Sequence, residues 1–291
     1  MKKILSSELI LNPDGSIYHI KLKPEQIADD IILVGDPGRV EVVSSFFDEI
    51  QHKVHNREFA THTGIYKGKR ITCISSGIGT DNIDIVVNEL DALANIDLDK
   101  RVQKKSHRSL NLIRIGTSGA LQENIPVDSY VLSDIAVGFD GMLNFYAGRD
   151  SVSLLDAEAA FKQHVNWDAL LNTPYFVKAS DMLKAKIGKG LKAGITISSN
   201  GFYGPQGRVL RLPLRVPELN EKMRSFQYDG LKITNYEMES SAIYGLARML
   251  GHNALTVCAI IANRYNKQSS KDYHPVVEKL IKQVLDNLID N

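Results

Sequence analysis

The chain has 291 residues, enough for one large α/β domain or two small ones. Its 43% hydrophobic and 24% charged residues are ordinary for a globular protein, and a formal net charge of +1 argues against a nucleic-acid surface or a membrane-binding face. No stretch approaches the roughly 20 apolar residues that cross a bilayer. The opening "MKKILSSELILNPDG" is broken by Glu8 and has no small-residue cleavage site, so it does not read as a signal peptide.

The first clear element is "DIILVGD" (30–36), an apolar run that stops at a glycine. "VGDPGR" (34–39) follows, a Pro-Gly turn that leaves Arg39 near the start of a helix over "VEVVSSFF". Further runs with glycine or polar ends are "RITCISSGIG" (70–79), "LNLIRIGTSG" (110–119), "SYVLSDIAV" (129–137), "AGITISSNG" (193–201), "LKITNYE" (231–237) and "ALTVCAIIANR" (254–264). Several are near-continuous in Val, Ile and Leu, the pattern of strands buried on both faces. Helical spacing appears at 82–96, 238–251 and 276–289. Strand alternating with helix predicts a layered α/β architecture with a mostly parallel sheet. The charged stretch "DLDKRVQKKSHRS" (97–109) reads as a solvated surface loop, and no linker divides the chain, so 1–291 reads as one domain. Cys73 and Cys258 lie in apolar runs and read as buried thiols of a reducing compartment, the cytoplasm.

Ligands of α/β sheets gather at the carboxyl ends of strands. That rule selects Gly35–Arg39, Ser76–Asp81, Arg114–Ala120, Gly201–Arg208, Glu237–Glu239 and Asn263–Arg264. In the first, backbone N–H groups, a helix start and Arg39 suit an anion, against the plain reading of a tight turn with a surface arginine. In "RIGTSGA", Gly116 and Gly119 permit close backbone approach, and Thr117 and Ser118 offer hydroxyls. Arg114 lies within an apolar strand, where a charge needs a partner, so a structural salt bridge competes with an anion site. Glu237 and Glu239, in "NYEMESS", could accept from vicinal ribose hydroxyls, act as a glycosidase pair, or simply favour a helix dipole. "GFYGPQGR" (201–208) presents Gln206, which donates and accepts, beside Arg208, which only donates, with Phe202 for stacking. Uracil offers the matching edge of acceptor, donor and acceptor. A surface turn is the competing reading. No P-loop is present, and "SSGIGTDN" is too incomplete for a dinucleotide fingerprint.

Taken together and in order, "GDPGR", "NREF", "SSGIG", "LIRIGTSGALQ", "GFYGPQGR", "NYEMES" and "ANR" resemble the nucleoside phosphorylase family, and within it the uridine phosphorylase branch. The resemblance runs from about residue 18 to 289. It implies a single-domain, three-layer α/β/α fold with a central mixed, mostly parallel sheet. It also implies a phosphate site of Gly35, Arg39, Arg57, Arg114 and Thr117, with Arg57 reaching across from a neighbouring subunit. His19, Glu237, Met238 and Glu239 are implied for the ribose, His19 again across the interface. Phe202, Gln206, Arg208 and Arg264 are implied for the base. Arg39, Arg114, Gln206 and Arg208 are the residues expected to carry catalysis. No cofactor or metal is required by this reading; inorganic phosphate is the co-substrate, with room for a monovalent cation at a subunit interface. The expected partners are nucleoside, phosphate and further copies of the chain, as a hexamer of dimers with shared sites.

The sequence departs from the family pattern after "GIG", where Thr80, Asp81, Asn82 and Asp84 replace small residues, proline and serine, and in the order of proline and glycine in "GPQGR". The expected reaction is reversible phosphorolysis of uridine, or of deoxyuridine, to uracil and the α-pentose 1-phosphate, without a side-chain nucleophile. The alternatives are a purine nucleoside phosphorylase, a nucleosidase that uses water, and a catalytically silent nucleoside-binding protein. Asn263–Arg264 offers no carboxylate for a purine N7.

Overall fold

The computed structural model describes residues 3–289. The first two residues of the opening stretch, and the two ends of the 1–291 domain, lie outside the described residues. Chain order is β1 (Asp30–Val34), α1 (Pro37–Ser44), β2 (Glu49–Asn56), β3 (Phe59–Tyr66), β4 (Lys69–Ser75), α2 (Thr80–Asn95), β5 (Ile96–Asp97), β6 (Val102–Gln103), β7 (Asn111–Ala120) and β8 (Tyr130–Gly138). It continues through α3 (Leu155–Val165), β9 (Tyr175–Lys178), α4 (Asp181–Ile187), β10 (Lys192–Ser198), α5 (Leu219–Ser225), β11 (Gln227–Tyr228), β12 (Leu231–Glu237), α6 (Ser240–Met249), β13 (Asn253–Asn263), β14 (Gln268–Ser269) and α7 (His274–Ile289).

Every strand and helix read from hydrophobic pattern is present. The five residues of β1 are all buried, as their unbroken apolar run requires. Pro37 and the N-cap Asp36, which accepts from Gly38 N–H at 2.9 Å, start α1 three residues earlier than the apolar pattern alone indicates. Helices α2 and α7 each turn one apolar face inward, whereas α6 is buried from Ser240 to Ala247.

The sheet is mixed, with strand order β11-β12-β10-β8-β13-β7-β1-β4-β3-β2. Its inner ladders β4–β1, β1–β7, β7–β13, β8–β10 and β10–β12 are parallel. One half also closes on itself. Strand β12 pairs antiparallel with β7 through Asn235–Ala120 and Tyr236–Gly119, so β7, β13, β8, β10 and β12 form a ring. Buried hydroxyls and an amide link its strands: Ser133 Oγ meets Thr196 Oγ1 at 2.6 Å, Thr196 donates to Asn235 at 2.9 Å, and Asn235 donates to Ser118 at 3.0 Å. Strands β1 and β4 stop level with the middle of β7, while β7 runs on into the ring. Arg114–Ala120 therefore lies within a strand rather than after one, because β13 pairs along its whole length and β12 closes on its last two residues.

The 97–109 segment is mostly exposed, as its charges suggest, but two of its arginines make it a structural clasp as well. Its β5–β6 hairpin places Arg101 so that Nε donates to Ile4 O at 3.1 Å and Nη2 to Leu5 O at 3.2 Å. Arg108 pairs with Asp29 at 2.6 Å. Among the described residues, no helix is long and apolar enough to cross a membrane.

Candidate active site

The site forms where the open sheet joins the ring. Arg114 is only 4% exposed and folds back along β7, where Gly116 makes room: a Cβ there would lie 3.2 Å from the Arg114 guanidinium. Its Nε donates to Glu237 at 3.2 Å, and its Nη2 donates to Glu239. Burial alone would depress the Arg114 pKa, but Glu239 and then Glu237 hold it above its ordinary value. Its Nη1 is buried without a protein partner and points toward Gly35, where a Cβ would lie 4.0 Å away. Arg39, in the first turn of α1, has no carboxylate within salt-bridge distance among the described residues. Burial, and then the Arg114 charge, push its pKa down. Two arginines whose charges repel, one of them with a buried N–H left unpartnered, suit an anion. Thr117, half-buried on β7 beyond Arg114, has no hydrogen bond from its hydroxyl to the protein among the described residues.

The two glutamates at the β12–α6 junction differ sharply. Glu237 is saturated: it accepts from Ser198 Oγ at 2.5 Å, Arg114 Nε at 3.2 Å, Glu239 N–H at 2.9 Å and Ser240 N–H at 3.0 Å. Its carboxylate caps α6 and orients Arg114, and it has no free side toward a sugar. Glu239 accepts from Arg114 and from Gly79 N–H at 2.7 Å, which leaves lone pairs on both oxygens. Burial raises the Glu239 pKa, opposed by Arg114 and reinforced by Glu237. Gly79 reaches this position at φ 97°, a backbone state that an L side chain rarely adopts. Met238 is half-buried between the two glutamates.

The base loop hangs from the end of β10. Gln206 is 3% exposed, and its side-chain oxygen accepts from Arg208 Nη1 at 2.5 Å. The same Nη1 donates to Phe202 O at 2.6 Å, and the guanidinium lies 3.7 Å over the Phe202 ring. One face of Phe202 is thus taken by Arg208, and the ring is 50% exposed. Arg264, at the end of β13, stands 5.4 Å from the Tyr236 ring, and its Nη1 is buried without a partner. Burial depresses both Arg208 and Arg264, and Arg264 lowers Arg208 further. Among the described residues neither has an ionic partner.

His19 and Arg57 are not hydrogen-bonded to this cluster. Arg57 is exposed at the β2–β3 turn at φ 55°, with its guanidinium 5.8 Å from the Tyr18 ring. The His19 ring meets Tyr18 edge-on at 4.7 Å, and its Nδ1 lies 2.6 Å from Glu89 on α2. Asn56 donates to His19 O at 2.7 Å, which ties the two segments into one surface. Asp91, His107 and His252 form a group with metal-like spacing at the other end of the strands. His252 Nδ1 accepts Leu110 N–H at 3.2 Å, so its Nε2 carries the proton donated to Asp91 at 3.1 Å. That ring is spent on hydrogen bonds.

Sequence reasoning missed Gly79 N–H as a partner of Glu239, Ser198 as a partner of Glu237, and Tyr236 beneath Arg264. The glycine signal of "GIG" was readable; the other two depend on pairings between distant strands.

A buried guanidinium with an open N–H, a carboxylate with free lone pairs, and an amide beside two unneutralised arginines suit an anion, a polyol and a planar polar ring. That is the set expected of a glycosyl-transferring phosphorylase. The profile of the Phosphorylase superfamily matches residues 29–290. A uridine phosphorylase of Thermococcus kodakarensis is 32% identical over 277 residues, covering 93% of this chain and 86% of that one. A DeoD-type purine nucleoside phosphorylase of Oceanobacillus iheyensis is 31% identical over 248 residues, covering 83% and 85%. The crystal structure of a Trypanosoma brucei nucleoside phosphorylase, described as showing uridine phosphorylase activity, superposes with a TM-score of 0.86 at 30% identity, covering 97% and 99%. The chain belongs to the Phosphorylase superfamily, and its fold is that of the nucleoside phosphorylases.

Proposed function

We propose that this pentosyltransferase catalyses reversible phosphorolysis of uridine to uracil and α-ribose 1-phosphate, in pyrimidine salvage. The observation that carries this reading is the unneutralised Arg208–Arg264 pair beside Gln206, with no carboxylate among its ionic or hydrogen-bonding partners. Asn263 cannot stand in for an acid that serves a purine N7. Its Oδ1 accepts from Tyr265 and Asn266 N–H, and its Nδ2 donates to Gln122 O and Ile125 O.

In this reading Arg39, Arg114 and Thr117, with the Gly35 backbone, hold phosphate below the anomeric carbon, so attack is positioned rather than collisional. Glu239 accepts from the ribose hydroxyls, Met238 packs against the sugar, and Glu237 acts through Arg114. The C–O bond to phosphate forms as the glycosidic C–N bond breaks, and the electron pair leaves on uracil. Gln206, Arg208 and Arg264 stabilise that charge as it develops. Half-buried His19 and exposed Arg57, in segments joined by the Asn56–His19 hydrogen bond, fit a homo-oligomer in which each copy completes its neighbour's ribose and phosphate sites. A hexamer of dimers and a monovalent cation at the interface follow from resemblance alone. We further read 1–291 as one domain and, from its two free buried thiols, as cytoplasmic.

The test is release of uracil from uridine with and without added phosphate, with inosine in parallel. Phosphate-dependent release without inosine cleavage is expected. Release without phosphate would make the protein a nucleosidase, and cleavage of inosine would move it to the purine branch.

A further inference from the structure

We infer that Asn220 is a positioning residue for base recognition. It sits in the first turn of α5 and joins the two halves of the base subsite without belonging to either. Its Nδ2 donates to the Gln206 carbonyl at 3.3 Å, and its Oδ1 accepts from Tyr236 OH at 2.8 Å. Gln206 carries the amide of the loop, and the Tyr236 ring lies against Arg264, so one side chain ties loop to wall. The contact is close. Gly207 stands at φ 71°, and a Cβ there would fall 2.3 Å from Asn220 Nδ2, so the chain keeps a glycine where the tether passes.

The rest of α5 backs the same subsite. Met223 Sδ lies 3.8 Å from Tyr236 OH. Arg224 donates to Leu121 O at 3.0 Å and places its guanidinium 3.8 Å over Tyr265, the neighbour of Arg264. Behind Gly204–Gly207 is a cavity of about 370 Å³, lined by Trp167, Leu171 and Val216 among others, with Asn220 on its rim. The Asn220 hydrogen bonds tie the loop backbone at Gln206 to Tyr236, so cutting them loosens Gln206 relative to the base wall while phosphate and ribose groups stay in place.

This inference rests on the uridine reading, and its test separates the two. Asn220→Asp keeps the size and the acceptor for Tyr236 but turns an oxygen toward the Gln206 carbonyl. Asn220→Ala removes both bonds. Initial rates are measured against uridine at saturating phosphate and against phosphate at saturating uridine, with thermal melts of each protein. The expected result is a uridine KM raised roughly tenfold in both variants, with the phosphate KM within about twofold of the parent and the melting temperature retained in Asn220→Asp. An unchanged uridine KM, or uridine and phosphate KM rising together as the melting temperature falls, would overturn the positioning role while leaving the reaction intact. A parent enzyme that releases no uracil with phosphate would remove the functional reading first, and the inference with it.

Discussion

Arg114→Met is expected to cost the most, in stability and in turnover together. The arginine is the shared partner of two buried carboxylates, and removing one member of a buried ionic set leaves the rest uncompensated. The loss should be about 3–5 kcal/mol, or roughly 5–8 °C in melting temperature for a domain of this size. Methionine keeps most of the volume, so the effect is electrostatic rather than a cavity. The loss should also depend on pH. A carboxyl whose folded pKa is raised, as for Glu239 above 4.5, holds a proton that the unfolded chain has released. Its favourable contribution is complete below that unfolded value and disappears as pH rises through the folded one. Burial raises the parent Glu239 pKa to about 7, and without Arg114 it rises further, so the gap between variant and parent should narrow as pH falls from about 9 toward 7 and change little below that, where both folded proteins hold the proton. Turnover should fall roughly 10³-fold, because the open Nη1 is lost along with the orientation of Glu239. A melting temperature unchanged at pH 7 would show that the guanidinium is not what compensates the glutamates.

The second large effect is expected from Arg208→Ala. Arg208 donates to the Gln206 side-chain oxygen, which fixes which end of that amide faces the site, and it covers one face of Phe202. Truncation removes a cationic donor from the departing base and frees Gln206 to turn. A fall of roughly 10²–10³ in kcat/KM for uridine should follow, with the phosphate KM little changed. Since the two side chains act as a unit, adding Gln206→Ala should cost little more than Arg208→Ala alone. Fully additive losses in that double-mutant cycle would mean that the two contacts are independent. Retained uridine turnover in Arg208→Ala would withdraw the base role itself.

Much of this fold was legible in the sequence. Runs such as "DIILV" and "LTVCAII" carry the double-sided burial of a parallel sheet, and the helical spacing of 276–289 marks α7. Closure of β12 onto β7 was not, because it adds a ladder without altering the apolar pattern of either strand. The same non-locality hid the difference between Glu237 and Glu239. Two glutamates one residue apart look alike until Ser198, from another strand, and the Ser240 N–H fill the first and leave the second open. The 97–109 segment was legible only in part. Its charges suggest solvent, yet Arg101 spends its donors on carbonyls of the first ten residues.

The 201–208 loop and α5 lie between β10 and β12, two parallel strands that pair directly with each other, so the whole excursion is one crossover between adjacent strands of the ring. The anion machinery sits elsewhere, on β1, α1 and β7. A lineage can therefore recolour that excursion, together with Arg264 after β13, and change the nucleobase while keeping the groups on β1, α1 and β7. Descent on such a scaffold separates what is transferred from what is discarded, and overall identity becomes a poor guide to the leaving group. Uridine and purine enzymes standing at 32% and 31% identity to one chain is the pattern this modularity would leave.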